Sequence, residues 1–144
     1  MKLAIVCVVL AMTAHGGSCN SAGTNSKSAS PHRGEALANG IWGGEHIRAE
    51  VTDRGAEIEF DCAHGNIPQQ VLLDSSKQFD AGGTFSPEHA GPIRDDENNS
   101  RPVRYKGSVT EQAMTLTITD SKTKEIIDTF TLTLGNEGRI RKCR

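Results

Sequence analysis

From residue 40 to the end of the chain, apolar and polar residues repeatedly alternate. A period of two is what a strand with one buried face produces and what an amphipathic helix cannot use. Ala56, Ile58, Phe60 and Cys62 alternate with Glu57, Glu59 and Asp61, giving a half-buried strand with an acidic outer face. Val103, Tyr105, Gly107 and Val109 alternate with Arg104, Lys106 and Ser108, and Met114, Leu116 and Ile118 with Thr115, Thr117 and Thr119. Phe130, Leu132 and Leu134 alternate with Thr129, Thr131 and Thr133. Glu111-Gln112 and Asp120 to Lys124 are the turns between these strands, and Gly135-Asn136-Glu137-Gly138 turns the chain into a last strand around Ile140. Val71 to Leu73 and Gln78 to Ala81 supply shorter strands, while Ser86 to Pro102, with its prolines and the Asp95-Asp96-Glu97-Asn98-Asn99 run, reads as one long loop.

The expected fold is all-β: an antiparallel meander barrel of about eight strands in roughly one hundred residues, because closure removes the sheet edges that an open meander leaves exposed. A two-sheet sandwich is the alternative. Residues 40–144 have the size of a single domain and are too few for two cores.

The N-terminus reads differently. Met1-Lys2 precedes an apolar run from Leu3 to Ala14, then Gly16-Gly17-Ser18-Cys19. The run has the length of a signal h-region and falls short of the ~20 residues that span a bilayer. Residues 1–18 are therefore expected to be a cleaved signal peptide. Gly17-Ser18-Cys19 resembles the box of bacterial lipoproteins, which implies acylation at Cys19, although Gly16 stands where that family usually carries Leu. Ordinary secretion after Ala14 or Gly16 is the alternative. Residues 19–39, rich in Ser, Ala, Asn and Gly, behave as a flexible tether spanning roughly 25 Å. Asn20 after the cysteine implies, by the same resemblance, the outer membrane in a cell with two membranes.

Cysteine arithmetic favours acylation of Cys19 over ordinary secretion, which would leave an odd count. Cys7 leaves with the leader, so acylation of Cys19 leaves an even pair, Cys62 and Cys143, in an oxidising compartment. They are expected to form a disulfide, which removes Cys62 as a nucleophile for His64. The formal charge of −2 becomes −3 once Lys2 leaves. Basic residues are scattered except at Arg139, Arg141, Lys142 and Arg144, read as a solvated edge, so no nucleic-acid partner is expected.

Gly40-Ile41-Trp42 at the start of the first strand, with Arg139 or Arg141 in the last, is similar to the lipocalin and avidin (calycin-type) pattern. The resemblance implies an indole plugging one barrel end with a guanidinium packed over it, a cation–π contact. A simple core Trp is the alternative. Across most of the head, Gly40-Ile41-Trp42-Gly43-Gly44-Glu45-His46, Asp61-Cys62-Ala63-His64-Gly65 and Glu88-His89-Ala90-Gly91-Pro92-Ile93-Arg94 resemble an uncharacterised family of small exported bacterial proteins. This implies a family identity and no particular activity.

His46, His64 and His89 are the candidate metal ligands, imidazoles that with a carboxylate suit Zn, Cu or Ni. Their separations of 18 and 25 residues match no short metal motif. His64 shares the parity of Ile58 and Phe60, so an inward-facing, hydrogen-bonded strand-end histidine explains it equally well. Glu57, Glu59 and Asp61 lie on a wet face and keep ordinary carboxylate chemistry, which argues against paired-acid catalysis, and the Arg94-Asp95-Asp96-Glu97 loop lacks calcium-loop spacing. Two function classes follow. The favoured one is a non-catalytic, envelope-anchored binding head for a small ligand or protein partner, bound to the lipid bilayer through Cys19 and needing no cofactor. The other is a metal-dependent hydrolase or metal-binding protein using the three histidines. Interior room discriminates between a ligand carrier and a surface role, since Phe60, Phe79, Phe85, Tyr105, Met114 and Phe130 are enough to fill a small barrel.

Overall fold

A computed structural model describes residues 34–89 and 99–143. Alternation becomes strand throughout, and the described residues contain no helix. In chain order the strands are β1 (Glu35–Ala36), β2 (Gly40–Gly44), β3 (Ile47–Thr52), β4 (Gly55–Phe60), β5 (Ala63–Ile67), β6 (Leu72–Leu73), β7 (Gln78–Pro87), β8 (Arg101–Thr110), β9 (Ala113–Asp120) and β10 (Ile126–Leu134). Eight of them close into an antiparallel barrel in the order β10-β2-β3-β4-β5-β7-β8-β9, so the barrel is the architecture and the sandwich is not. β1 and β6 form a separate two-stranded sheet.

That small sheet moves the start of the folded head. Glu35 pairs with Leu73 and Ala36 with Leu72, Leu37 N–H donates to Val71 O at 2.9 Å, and the Leu37 side chain is buried. The folded head therefore takes in residues expected to be tether. One apolar side chain in a polar stretch is enough to dock the strap once barrel residues receive it.

The inward set is continuous: Ile47, Ala49 and Val51 of β3 face Phe60, Ile58 and Ala56 of β4, and Val103, Tyr105 and Gly107 of β8 face Asp120, Ile118 and Leu116 of β9. Trp42, Tyr105, Ile47, Ile58, Leu116, Ile118 and Leu132 are fully buried. Aromatic volume is accommodated by missing side chains opposite it. A Cβ on Gly65 would stand 2.1 Å from the Tyr105 hydroxyl, one on Gly83 2.8 Å from its ring, and one on Gly107 2.0 Å from the Phe79 ring. The Tyr105 O–H donates to Thr84 O at 2.6 Å, which satisfies the one polar atom this ring carries inside, and burial pushes the phenol pKa up.

The barrel closes unevenly. β10 pairs with β9 from Ile126 to Thr133, but with β2 only through Thr133–Gly43 and Leu134–Trp42. Beyond that point β2 takes a different neighbour: after the 135–138 turn, Arg139 N–H donates to Gly44 O (2.9 Å) and Arg139 O accepts from His46 N–H (2.8 Å) in a parallel bridge with Glu45. The expected last strand around Ile140 is thus this single bridge followed by a tail. Gly43 permits the crossing, because a Cβ there would stand 2.3 Å from Asn136 O and Gly138 N.

Candidate functional site

The antiparallel order gathers the Glu45-His46 turn, the Asp61-Cys62 turn, the end of β7 and the start of β10 at one end of the barrel. A cavity of about 580 Å³ opens there. Phe60, Phe85 and Phe130 line it, with the Phe60 ring centroid 5.3 Å from that of Phe85 and 5.4 Å from that of Phe130. Phe60 is buried, whereas Phe85 and Phe130 are only partly covered by the core. Of the six side chains expected to fill the interior, Phe60, Phe79, Tyr105 and Met114 are buried in it, Phe60 with one side on the mouth, whereas Phe85 and Phe130 wall the opening. Its rim carries Glu45, His46, Asp61 and Asp128.

Two histidine–carboxylate pairs flank the rim. His46 sits in the left-handed region (φ 67°) of a tight turn, and its Nδ1–H donates to Asp61 Oδ2 at 2.6 Å. The other oxygen, Oδ1, accepts the Arg141 backbone N–H at 2.8 Å. The Arg141 hydrogen bond and the His46 bond together hold the Asp61 carboxyl below its usual pKa. His64 Nδ1–H donates to Glu88 Oε1 at 3.0 Å, and Lys142 Nζ donates to Glu88 Oε2 at 3.3 Å. Partial burial alone would raise the Glu88 pKa, but the bonds from His64 and Lys142 outweigh it and the net direction is down.

These pairs, with the Cys62–Cys143 disulfide, fasten the C-terminal tail to the mouth. The sulfur bridge is formed as the cysteine count led us to expect, between Cα atoms 5.2 Å apart. The histidines are not gathered as ligands: His46 and His64 pair with different carboxylates, His89 is exposed, and among the described residues no group of three or more His, Cys, Asp or Glu side chains could hold a metal ion. His64 also faces outward rather than inward, because Phe60 and Ala63 are opposite partners across a two-residue turn and the parity of the chain flips between them.

The Trp42 and arginine expectations separate too. Trp42 is buried, and its Nε1–H donates to Ala38 O at 2.9 Å, so the indole is closed in by the strap at the barrel end away from the mouth. Gly40 opens β2, with φ 130°. Arg139, with a side chain 79% exposed, does not pack over the indole; its Nη1 lies 3.7 Å from Glu45 Oε2. β10 ends at Leu134 and the chain reverses before either arginine, so Arg139 and Arg141 run toward the mouth and away from Trp42. The cation–π contact falls elsewhere, with the Arg101 guanidinium 5.3 Å from the Phe85 centroid. Residues 1–18 and Cys19 lie outside the described residues.

Sequence reasoning missed Asp128 and the mouth face of Phe85 and Phe130. Phe85 had a local signal, since Gln78 to Ala81 continues in alternation to Phe85, but the Gly82-Gly83 pair conceals it. No protein-family model, curated protein or solved structure matches the chain.

Proposed function

We propose that this chain is an exported, lipid-anchored binding protein whose barrel head takes up a ligand or partner segment at its open mouth without catalysing a reaction. The carrying observation is the cavity of about 580 Å³ lined by Phe60, Phe85 and Phe130. A concave site with an apolar, partly aromatic wall and a few convergent polar groups is the usual form of a binding pocket. A non-catalytic role is supported by the rim chemistry: Asp61 and Glu88 have lowered pKa values and hydrogen-bonded partners, whereas a general acid needs its pKa raised. The Gly40-Ile41-Trp42 resemblance to ligand-carrying barrels and the Gly17-Ser18-Cys19 box support the same reading, with Cys19 holding the head at the bacterial envelope, the outer membrane where the cell has two.

Titration with the neutral fluorophore N-phenyl-1-naphthylamine tests the mouth. One saturable site is expected, abolished by Phe130→Asp, which sets a carboxylate among the rings while the disulfide and far-UV spectrum persist. Absence of saturable binding to the wild type would end the reading. Intact-mass measurement of the protein extracted from membranes tests the anchor, and a mature chain without acyl mass would remove it.

A further inference from the structure

We propose that the mouth binds an extended, basic peptide segment, which adds as a strand to the open edge of β10. This rests on the mouth being the binding site and names the kind of partner it takes. Three observations carry it. β10 is laddered to β9 on either side of a bulge at Ile127, yet among the described residues Ile127 to Phe130 have no ladder partner on the opposite side, because the β2 ladder to β10 ends at Gly43–Thr133 and Gly44 O takes the Arg139 N–H instead. Unpaired strand edges are templates for one more strand, lying 4.7–4.9 Å away.

The second observation concerns the cavity wall. Successive side chains of a strand point to opposite faces, so a strand that presents only its side chains to a cavity contributes every second residue. Beyond the bulge at Ile127, where alternation is regular, Asp128, Thr129, Phe130 and Thr131 line this one consecutively. The β10 backbone edge itself therefore faces the space. A peptide laid along it would place alternate side chains against Phe60, Phe85 and Phe130 and the others toward the rim.

The third is charge. The rim carboxylates are Glu45, Asp61 and Asp128, and no Lys or Arg lines the cavity. Glu45 and Asp61 already hold a basic segment of this chain from the other side: Arg139 lies 3.7 Å from Glu45, and the Arg141 N–H bonds to Asp61. Asp128 has no basic partner among the described residues and accepts only the Thr129 N–H. A second strand carrying Lys or Arg at alternate positions matches both the backbone edge and this surplus of negative charge.

The test uses the disulfide-bonded protein and a capped hexapeptide alternating lysine and valine, read by displacement of N-phenyl-1-naphthylamine and by amide chemical shifts. Expected are displacement, shifts at Ile127 to Phe130, at least tenfold weaker binding of a glutamate–valine analogue and of a backbone N-methylated analogue, and weaker lysine–valine binding by Asp128→Asn. Fluorophore binding without peptide displacement overturns the peptide proposal and leaves the mouth reading standing. Equal binding of methylated and unmethylated peptides overturns strand addition. A concentration-dependent dimer that the peptide fails to dissociate assigns the edge to a second copy of the chain and overturns a foreign partner. No binding of fluorophore or peptide removes both readings.

Discussion

Cys62 and Cys143 are 81 residues apart in sequence and 5.2 Å apart at their Cα atoms, and their bond ties the tail of the chain to the β4–β5 turn at the barrel mouth. The tail contributes only one bridge to the sheet, at Arg139, so the covalent link and the carboxylate contacts of Arg141 and Lys142 are what keep it there.

Replacing both cysteines by serine is expected to lower stability by up to about 4 to 5 kcal/mol, the loop-closure entropy that such a crosslink removes from the unfolded chain. The barrel ladders do not involve the tail, so the double variant should remain folded with an unchanged far-UV spectrum. Urea unfolding in oxidising buffer checks this, and a loss below about 1 kcal/mol would mean that the bridge constrains little.

Acid sensitivity follows from Asp61. Its folded-state pKa lies below the usual 3.8, so the Arg141 and His46 bonds stabilise the fold fully above the unfolded-state value, and that stabilisation is lost as pH falls through the lowered folded value. Glu88, lowered from 4.5, and Asp120, lowered by the Thr123 and Lys122 backbone N–H groups, act in the same direction. Urea midpoints should be flat near neutrality and fall below about pH 4. The gap between wild type and Asp61→Asn should narrow as pH falls toward 3, and a gap that widens on acidification would reverse the sign assigned to Asp61.

The sequence made the strands legible where pairing is local. Met114, Leu116 and Ile118 turn inward as their alternation requires, and the Glu111-Gln112 turn joins β8 to β9 where expected. Legibility failed where one residue changes the count or a partner is remote. The run Phe60, Cys62, His64 looks unbroken in sequence, but the turn at Asp61-Cys62 inverts it, so His64 emerges on the outer face. The tether expectation missed Leu37 because a lone apolar residue has no period. Nothing local to Arg139 reveals that β2 exchanges β10 for the tail, and that exchange is what opens the mouth.

Tyr105 and Gly65 should be energetically coupled. Tyr105→Phe leaves Thr84 O without its donor and is expected to cost about 1 kcal/mol. Gly65→Ala pushes a methyl to within 2.1 Å of the Tyr105 hydroxyl and 2.6 Å of Thr84 O, an overpacking worth about 1 to 3 kcal/mol. Removing the hydroxyl relieves part of that clash, so the double variant should lose less than the sum of the two single changes. Strict additivity in a denaturation cycle would show that the hydroxyl is not what Gly65 accommodates.

Phe79 and Phe130 separate stability from binding. Phe79 is 7% exposed and packs its ring where a Gly107 side chain would stand, so Phe79→Ala should cost about 3 to 5 kcal/mol and leave fluorophore affinity close to wild type. Phe130 belongs to the mouth, is only partly buried and has the cavity on one side, so Phe130→Ala removes fewer contacts. It should cost clearly less stability than Phe79→Ala while weakening fluorophore binding at least tenfold, about 1.4 kcal/mol. Thermal unfolding and fluorescence titration of the two variants side by side decide the matter. If Phe79→Ala is the one that loses binding, the ligand enters the barrel from its other end and the mouth rings serve only to cap the core.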